Sequence, residues 1–186
     1  MYIVVAVVVG LTVGLLAGGR LANLAERSFR APGLLVAGLA IQVASSWAGS
    51  GGVALLLVSY GFLLAFAAAN ARHVGMMVVF VGISLNFLVI AANDGMPVRP
   101  SAIVAAGAAR PEDVGSVTFN AKHHLETDAD RLTFLADIVP VPLPGAREVV
   151  SYGDLVMAVG VADVIARWLR RRPERVAAEP RPARLP

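Results

Sequence analysis

The sequence predicts an all-α membrane protein of about five transmembrane helices, with a partly ordered extracytoplasmic loop, the cap, between the fourth and the fifth. Residues 1–19, 31–71 and 74–93 contain no charged side chain. The chain is 57% hydrophobic and only 16% charged, whereas an ordinary soluble domain is about 25% charged. Its mean hydropathy is +0.71. Roughly 20 apolar residues in a helix span the hydrocarbon core of a bilayer, so uncharged runs of this length indicate membrane spans.

The apolar runs and the breaks between them give the helix boundaries. We place five helices at residues 2–18, 33–47, 53–69, 73–92 and 152–169. The sequence GSGG at 49–52 is a turn signal between the second and the third. A secretory signal carries positive charge before its apolar stretch. The first charge here is Arg20, so we expect the first segment to be a retained helix and residues 1–172 to form one membrane domain.

The arginines predict the orientation. They lie between the first and second helices, between the third and fourth, and after the fifth: Arg20, Arg27, Arg30, Arg72, Arg167, Arg170, Arg171, Arg172 and Arg175. Five spans put all of these on one side, which the positive-inside rule makes cytoplasmic. The N-terminus is then outside and the C-terminus cytoplasmic. The main alternative is a four-span form in which the first or the fifth segment does not cross the membrane.

The composition also indicates the kind of organism the chain comes from, and it limits the chemistry and the binding partners that the chain can have. Fifteen of the 16 basic residues are arginine, and with the heavy use of Ala, Val and Gly this indicates a GC-rich bacterial genome and hence a bacterial plasma membrane. The chain has no cysteine, which excludes disulfides, thiolate metal sites and cysteine nucleophiles. The pI near 9.9 arises from arginines beside apolar segments. We therefore expect the lipid bilayer, and no nucleic acid, as partner.

Residues 93–150 are predicted to form the outer cap. Thr127 and Asp130 have the spacing of an N-cap and its N3 residue, which predicts a short helix that ends before Pro140. Its apolar face, toward the protein or the membrane surface, would be Leu132, Phe134, Leu135 and Ile138. The prolines at 140, 142 and 144 favour an extended chain after it. Residues 115–119 are predicted as a short strand, and residues 173–186 as a disordered cytoplasmic tail.

Small and amide side chains inside the apolar runs predict helix packing. Gly10, Gly14 and Gly18 recur every four residues, so they share one helix face on which another helix can approach closely. That neighbour is either a helix of the same chain or, alternatively, a second copy or another membrane protein. Gln42 and Asn86 lie within uncharged spans. Such amides either hydrogen-bond across helices or line a substrate path.

Two carboxylates in the last helix have structural interpretations. Ser151 and Asp154 have capping-box spacing, and a carboxylate at N3 favours the positive end of a helix. A catalytic or ion-binding role for Asp154 is the alternative. Asp163 and Arg167 are four residues apart, which predicts an ordinary ion pair on the helix surface.

The chain carries no recognisable catalytic motif. It has no HExxH, no GxSxG, no P-loop and no dinucleotide-binding glycine pattern in a strand–helix context. His123 and His124 precede three carboxylates, those of Glu126, Asp128 and Asp130. Because adjacent side chains diverge in both helices and strands, a hydrogen-bonding role is favoured over metal binding. We predict no metal site and no cofactor.

Taken in order along the chain, five short segments resemble a family of small bacterial membrane proteins known only as a domain of unknown function. They are GRLANL at 19–24, NDGMPV at 93–98, KHHL at 122–125, LTFLADIVP at 132–140 and SYGD at 151–154. The family pattern more often has Gly where this chain has Asp94. The resemblance implies a multi-span membrane protein of Gram-positive bacteria and their relatives, and it brings no activity, substrate or catalytic residue.

The predicted topology places the polar segments after the fourth helix on the outer side. We therefore hypothesise a functional cluster over the outer mouth of the bundle, covered by the apolar segment 132–139: Arg99, Lys122, His123, His124, Asp137 and Asp154. The leading function is a non-enzymatic accessory or interaction protein. One alternative is a small transporter or channel-like protein that uses this cluster and the Gln42–Asn86 region. The other is a membrane enzyme acting on lipid or envelope precursors.

Overall fold

The computed structural model describes residues 1–119, 122–143 and 146–170. Within them the helices are α1 (Tyr2–Leu16), α2 (Ala22–Ala25), α3 (Pro32–Ser45), α4 (Gly52–Ala69), α5 (Val74–Asn93), α6 (Pro100–Ala105) and α7 (Tyr152–Arg170). The strands are β1 (Met96–Val98), β2 (His123–Leu125), β3 (Val139–Leu143) and β4 (Ala146–Val150). The fold is mostly helical, but the strands correct the all-α prediction. The tail predicted at 173–186 lies outside the described residues.

The five long helices form an arc rather than a closed ring. α7 packs between α5 and α1, α4 packs against α5, and α3 packs against α4. The order around the arc is therefore α3, α4, α5, α7 and α1. Its two end members, α1 and α3, do not pack together along their length.

Only some of these helices are long and apolar enough to cross a membrane unaided. Among the described residues, α4 and α5 meet that criterion of length and composition. α1 and α3 are apolar but shorter, at 15 and 14 residues. α7 has 19 residues, with Asp154 in its first turn and Arg167 and Arg170 in its last. The structure thus contains two candidate spans where the sequence predicts five.

α5 ends at a residue in the left-handed conformation, which turns the chain toward β1. Asp94 follows the last helical residue with φ 51° and ψ 33°, and Gly95 has φ 152°. A left-handed residue at this position commonly ends a helix, and glycine adopts it most easily. This geometry explains why a glycine is suited to the Asp94 position. Pro97 then lies within β1.

The cap is built from two small sheets. β1 and β2 pair in parallel, with Met96 opposite His123 and Val98 opposite Leu125. The Asp137 N–H donates to the Pro97 carbonyl at 3.1 Å, which extends the first sheet by one bridge. β3 and β4 form an antiparallel hairpin that leads into α7. Apolar side chains, among them Val98, Ile103 and Val114, fill the interior of the cap.

Two predictions for the cap are wrong. Instead of a helix after Thr127, the chain makes a turn in which Asp130 accepts hydrogen bonds from the Thr127 N–H (2.7 Å) and hydroxyl (3.0 Å). Leu132 then has φ 54°, and only a single 3-10 turn follows, at Thr133–Leu135. The chain does not continue as a helix, and the Asp137 N–H donates instead to the Pro97 carbonyl of β1. The strand predicted at 115–119 is absent from the described residues, since a 3-10 helix occupies Pro111–Ser116.

Candidate functional site

A row of glycines brings α5 and α7 into backbone contact. Gly75 and Gly82 of α5 lie seven residues apart, as do Gly153 and Gly160 of α7. A Cβ atom built on Gly82 would lie 2.6 Å from the Gly153 carbonyl oxygen, and one built on Gly160 would lie 2.6 Å from the Gly75 oxygen. Only glycine allows this approach. These four residues, which we call the glycine seam, hold the first half of α7 against the first half of α5.

The glycine face predicted on α1 is partly used inside the chain. A Cβ atom on Gly10 would lie 2.8 Å from the Ala162 oxygen, and one on Gly14 would meet the Leu169 side chain. Both therefore contact α7. Gly18 has φ 79°, and no atom in the described part of the chain lies near its Cβ position, so it serves the turn after α1 rather than the contact. A partner on this face remains a prediction that a single chain does not test.

Asp154 lies at the centre of a buried hydrogen-bond network. Its carboxylate accepts from the Asn86 amide at 2.8 Å and from the Ser151 N–H at 3.2 Å. The Ser151 hydroxyl donates to the Asn86 carbonyl oxygen at 2.8 Å and accepts from the Asp154 N–H at 3.0 Å. Tyr2 also hydrogen-bonds to Asp154. The predicted capping box is confirmed, and the network further ties α7 to α5 and α1.

Three cap side chains lie next to this network. The His123 Nε2 atom is 3.4 Å from an Asp137 carboxylate oxygen. Lys122 hydrogen-bonds to Tyr60, which itself hydrogen-bonds to Asn86. We call the resulting set the buried polar cluster: Tyr2, Tyr60, Asn86, Lys122, His123, Asp137, Ser151 and Asp154. It joins the start of α7 and its neighbours in the bundle to the underside of the cap.

The structure brings together four of the six residues predicted for the functional cluster. Lys122, His123, Asp137 and Asp154 meet in the buried polar cluster. Arg99 instead binds Glu126 at 2.9 Å, and His124 contacts Asp130 at 3.0 Å. His123 and His124 separate because successive residues of a strand point to opposite faces.

Burial sets the protonation states at this site. Burial raises the pKa of Asp137 to about 7, and the nearby Asp154 charge adds to the rise while Lys122 opposes it. Burial lowers the pKa of His123 to about 4, and the positive charge of Lys122 acts in the same direction. At neutral pH the contact between His123 and Asp137 is therefore made by a neutral imidazole. The pair can hold a proton on Asp137 while His123 stays uncharged.

These two pKa shifts predict opposite pH dependences of the free energy of unfolding, and the two effects cancel in the wild-type protein. Between about pH 4 and 6.5 the folded chain carries a proton on Asp137, whereas the unfolded chain carries it on His123. With Asp137→Asn, the folded state resists charging of His123, so the free energy of unfolding should fall as pH drops from 6.5 to 4. With His123→Gln, the free energy of unfolding should fall as pH rises from 4 to 7, because the folded state resists ionisation of Asp137. We expect changes of roughly 2–3 kcal/mol.

Thermal unfolding of the detergent-solubilised protein between pH 4 and 7 measures both effects. Asp130→Asn is the control, because the Asp130 carboxylate contacts His124 and Thr127 rather than His123. Equal pH profiles for Asp137→Asn and His123→Gln would contradict the assignment of the two protonation states.

A cavity of about 440 Å³ lies inside the arc of helices. Its wall is largely apolar, formed for example by Leu63, Val79 and Ile83. Polar side chains enter it only near the cap, and these are Tyr2, Gln42, Tyr60 and Lys122. Of the two amides singled out in the sequence, Asn86 hydrogen-bonds across helices, to Asp154 and Ser151. Gln42 lines this cavity instead.

Aromatic rings close the opposite end of the cavity. The Phe29 ring lies 5.2 Å from that of Phe66 and 4.5 Å from that of Trp168, measured between centroids. Asn70 fixes the loop that carries Phe29, because its amide accepts from the Arg30 N–H at 2.8 Å and donates to the Arg30 carbonyl at 2.9 Å. The cavity is therefore polar at one end and hydrophobic with an aromatic floor at the other.

Sequence reasoning missed Tyr2, Tyr60 and Asn70. Each lies at a position that an apolar pattern makes inconspicuous: Asn70 follows the last residue of α4, and Tyr60 lies between Ser59 and Gly61 within an apolar run. A signal existed, since a tyrosine hydroxyl buried in an apolar span needs a hydrogen-bond partner. Among the described residues, no group of three or more His, Asp or Glu side chains is arranged to hold a metal ion.

The comparisons place the chain in a family. The model of DUF5317, a family of unknown function, matches residues 26–166. The chain therefore belongs to this family, as the resemblance of its short segments indicates. Searches of curated proteins and of solved structures gave no significant match.

Proposed function

We propose that this member of a family of unknown function is a five-span protein of the bacterial plasma membrane with a non-enzymatic accessory or interaction role. The observation that carries the proposal is the apolar outer surface of the helices. Large hydrophobic side chains are exposed on α1, α3, α4, α5 and α7, among them Val4, Val8, Val36, Val43, Val58, Val81 and Val159. Soluble monomers rarely expose apolar area on this scale, whereas lipid tails match it.

The arrangement of helix ends supports the proposed topology. The Arg20 N–H and the Asn23 amide both donate to the Leu169 carbonyl, at 3.0 and 2.6 Å. The bonds between Asn70 and the Arg30 backbone join the same end of the bundle. This end carries the arginines that flank α1, α3, α4 and α7, which the positive-inside rule assigns to the cytoplasm. The cap covers the other end.

The short helices α1 and α3 fit a membrane if the bilayer adapts around them. At 1.5 Å per residue they reach only about 20–23 Å, less than the ~30 Å hydrocarbon core. Local thinning and flanking residues compensate such a mismatch at modest cost. In this topology both short helices lie at the open side of the arc.

Single cysteines test the topology, because the natural chain has none. We would introduce Glu112→Cys in the cap, Ser28→Cys between α1 and α3, and Arg170→Cys at the end of α7, all at exposed positions. A membrane-impermeant maleimide should label only the Glu112→Cys variant in intact cells and all three after permeabilisation. Labelling of the Arg170→Cys variant in intact cells would instead support four spans. Recovery of the protein in the soluble fraction would overturn the proposal.

A small transporter is the second candidate, and the cavity with its polar end favours it. The aromatic floor closes the cavity toward the arginine-bearing end, so transport would require this floor to open. Uptake of solutes by proteoliposomes separates the transporter from the accessory protein.

The enzyme alternative, with His123, His124 and Asp137 as acid–base groups, is weakened because His124 contacts Asp130 rather than the other two residues. A metal-content assay on purified protein tests it.

A further inference from the structure

We propose that the cavity inside the arc binds one long-chain fatty acid, which enters from the bilayer between α1 and α3 and places its carboxylate beside Lys122. The proposal rests on the membrane insertion proposed above, because this route requires lipid around both helices. It adds a ligand, an entry path and a residue that recognises the head group.

The entry path follows from the arc. α1 and α3 both line the cavity but do not pack together along their length. Ile3 of α1 and Leu39 of α3 line it and are at the same time 38% and 48% exposed. A residue that faces both the cavity and the outer surface lies at its mouth. The mouth is therefore apolar and opens sideways, toward the lipid tails.

The size of the cavity matches a single hydrocarbon chain. A cavity of ~150 Å³ accommodates benzene, with six carbon atoms. The volume here is about 440 Å³, about three times larger, which by the same scale has room for roughly 18 carbon atoms. A phospholipid has two chains and a larger head, so it would have to leave one chain and its head outside.

The polarity of the cavity matches the two ends of a fatty acid. Its apolar end is formed by side chains such as Phe29, Phe66 and Val164, which suit the methyl end of the chain. Among the described lining residues Lys122 carries the one formal charge, and the Gln42 amide and two tyrosine hydroxyls accompany it. Hydrogen bonds between an ammonium and a carboxylate are among the stronger ones in proteins. The cap covers this end, so only a small head group fits there.

The acidic neighbours of Lys122 are compatible with a carboxylate ligand. Asp154 is already bound by the Asn86 amide, the Ser151 N–H and Tyr2. Asp137 lies against His123, and because burial raises its pKa to about 7 it can take up a proton when a second negative charge arrives. Lys122 can thus bind the ligand while its existing contacts remain.

The experiment is a titration of the purified full-length chain, in nanodiscs of zwitterionic phospholipid, with palmitate and with hexadecanol. We expect saturable binding of one palmitate per chain. Lys122→Gln should weaken palmitate binding by about tenfold or more and leave hexadecanol binding unchanged. Leu39→Trp, at the mouth, should abolish binding of both ligands. Val43→Trp is the matched control, since Val43 is also exposed on α3 (55%) but does not line the cavity, and it should bind as the wild type does.

Three results would overturn the inference. One is the absence of saturable palmitate binding by a folded protein. Another is equal loss of binding in Leu39→Trp and Val43→Trp. The third is a phospholipid retained at one per chain that palmitate cannot displace. If Lys122→Gln fails to fold, the pair of tryptophan variants still decides the location of the site. If cysteine labelling supports five spans and palmitate does not bind, this inference fails and the proposed function stands.

Discussion

Gly82→Ala is expected to lower the free energy of unfolding by about 1–3 kcal/mol, the range found for overpacked cores. The added Cβ atom would lie 2.6 Å from the Gly153 oxygen and 2.7 Å from the Met157 nitrogen. Both are backbone atoms, so no side-chain rotation relieves the clash and α7 must move away from α5. That movement would also lengthen the bonds between Asn86 and Asp154. Thermal unfolding of the solubilised protein measures the effect.

Gly61→Ala is the matched control for this variant. Gly61 is an exposed residue of α4, and among the described residues no neighbouring atom lies within 4 Å of its Cβ position. Alanine is the better helix former by up to about 1 kcal/mol, so this variant should be as stable as the wild type or more so. Equal destabilisation of the two variants would show that the close contact between α5 and α7 does not exist.

Asp154→Ala is expected to cost about 3 kcal/mol or more. The substitution leaves the Asn86 amide and the Ser151 N–H buried without their acceptor, and each such group costs roughly 1–3 kcal/mol. If Asp154 acted only in the capping box, the loss would be about 1 kcal/mol. The size of the effect therefore separates a role in the buried network from a capping role.

Asp163→Ala on the same helix provides the comparison. Asp163 binds Arg167 at 2.7 Å, as the sequence predicts, in an ion pair whose side chains are 28% and 44% exposed. Ion pairs of this kind contribute about 0.3–0.5 kcal/mol. A loss for Asp154→Ala no larger than that for Asp163→Ala would remove the basis for the buried polar cluster.

The helices were the most predictable part of the fold. The predicted boundaries 73–92 and 152–169 differ by a single residue at one or both ends from α5 (Val74–Asn93) and α7 (Tyr152–Arg170). Uncharged runs and capping residues determine these boundaries locally. The cap was less predictable. Within residues 127–139 the Asp137 backbone pairs with β1, which lies some 40 residues earlier, so this segment could not be predicted from its own residues alone.

The candidate site was predictable in its charged members and not in its assembly. Lys122, His123, Asp137 and Asp154 are conspicuous beside apolar segments. The separation of His124 from His123 required the strand β2, which sequence patterns did not indicate. Sequence reasoning also missed the glycine seam, although its residues form two pairs seven residues apart, one in each of two helices. The pattern within either helix alone does not indicate that the two pairs of glycines face each other.

Long apolar helices, arginines at one set of helix ends and polar residues at the other can all be predicted from the amino-acid sequence. Charge and hydrophobicity act on each segment separately, so they can be read from each segment. The three-dimensional packing was needed to show that the helices form an open arc, that Lys122 reaches Tyr60, and that an apolar cavity lies between the helices. These features depend on which helix faces which, and that choice follows from close contacts between backbones, such as those of Gly82 and Gly153. Packing of this kind is a property of pairs of segments distant in sequence, which no single segment encodes.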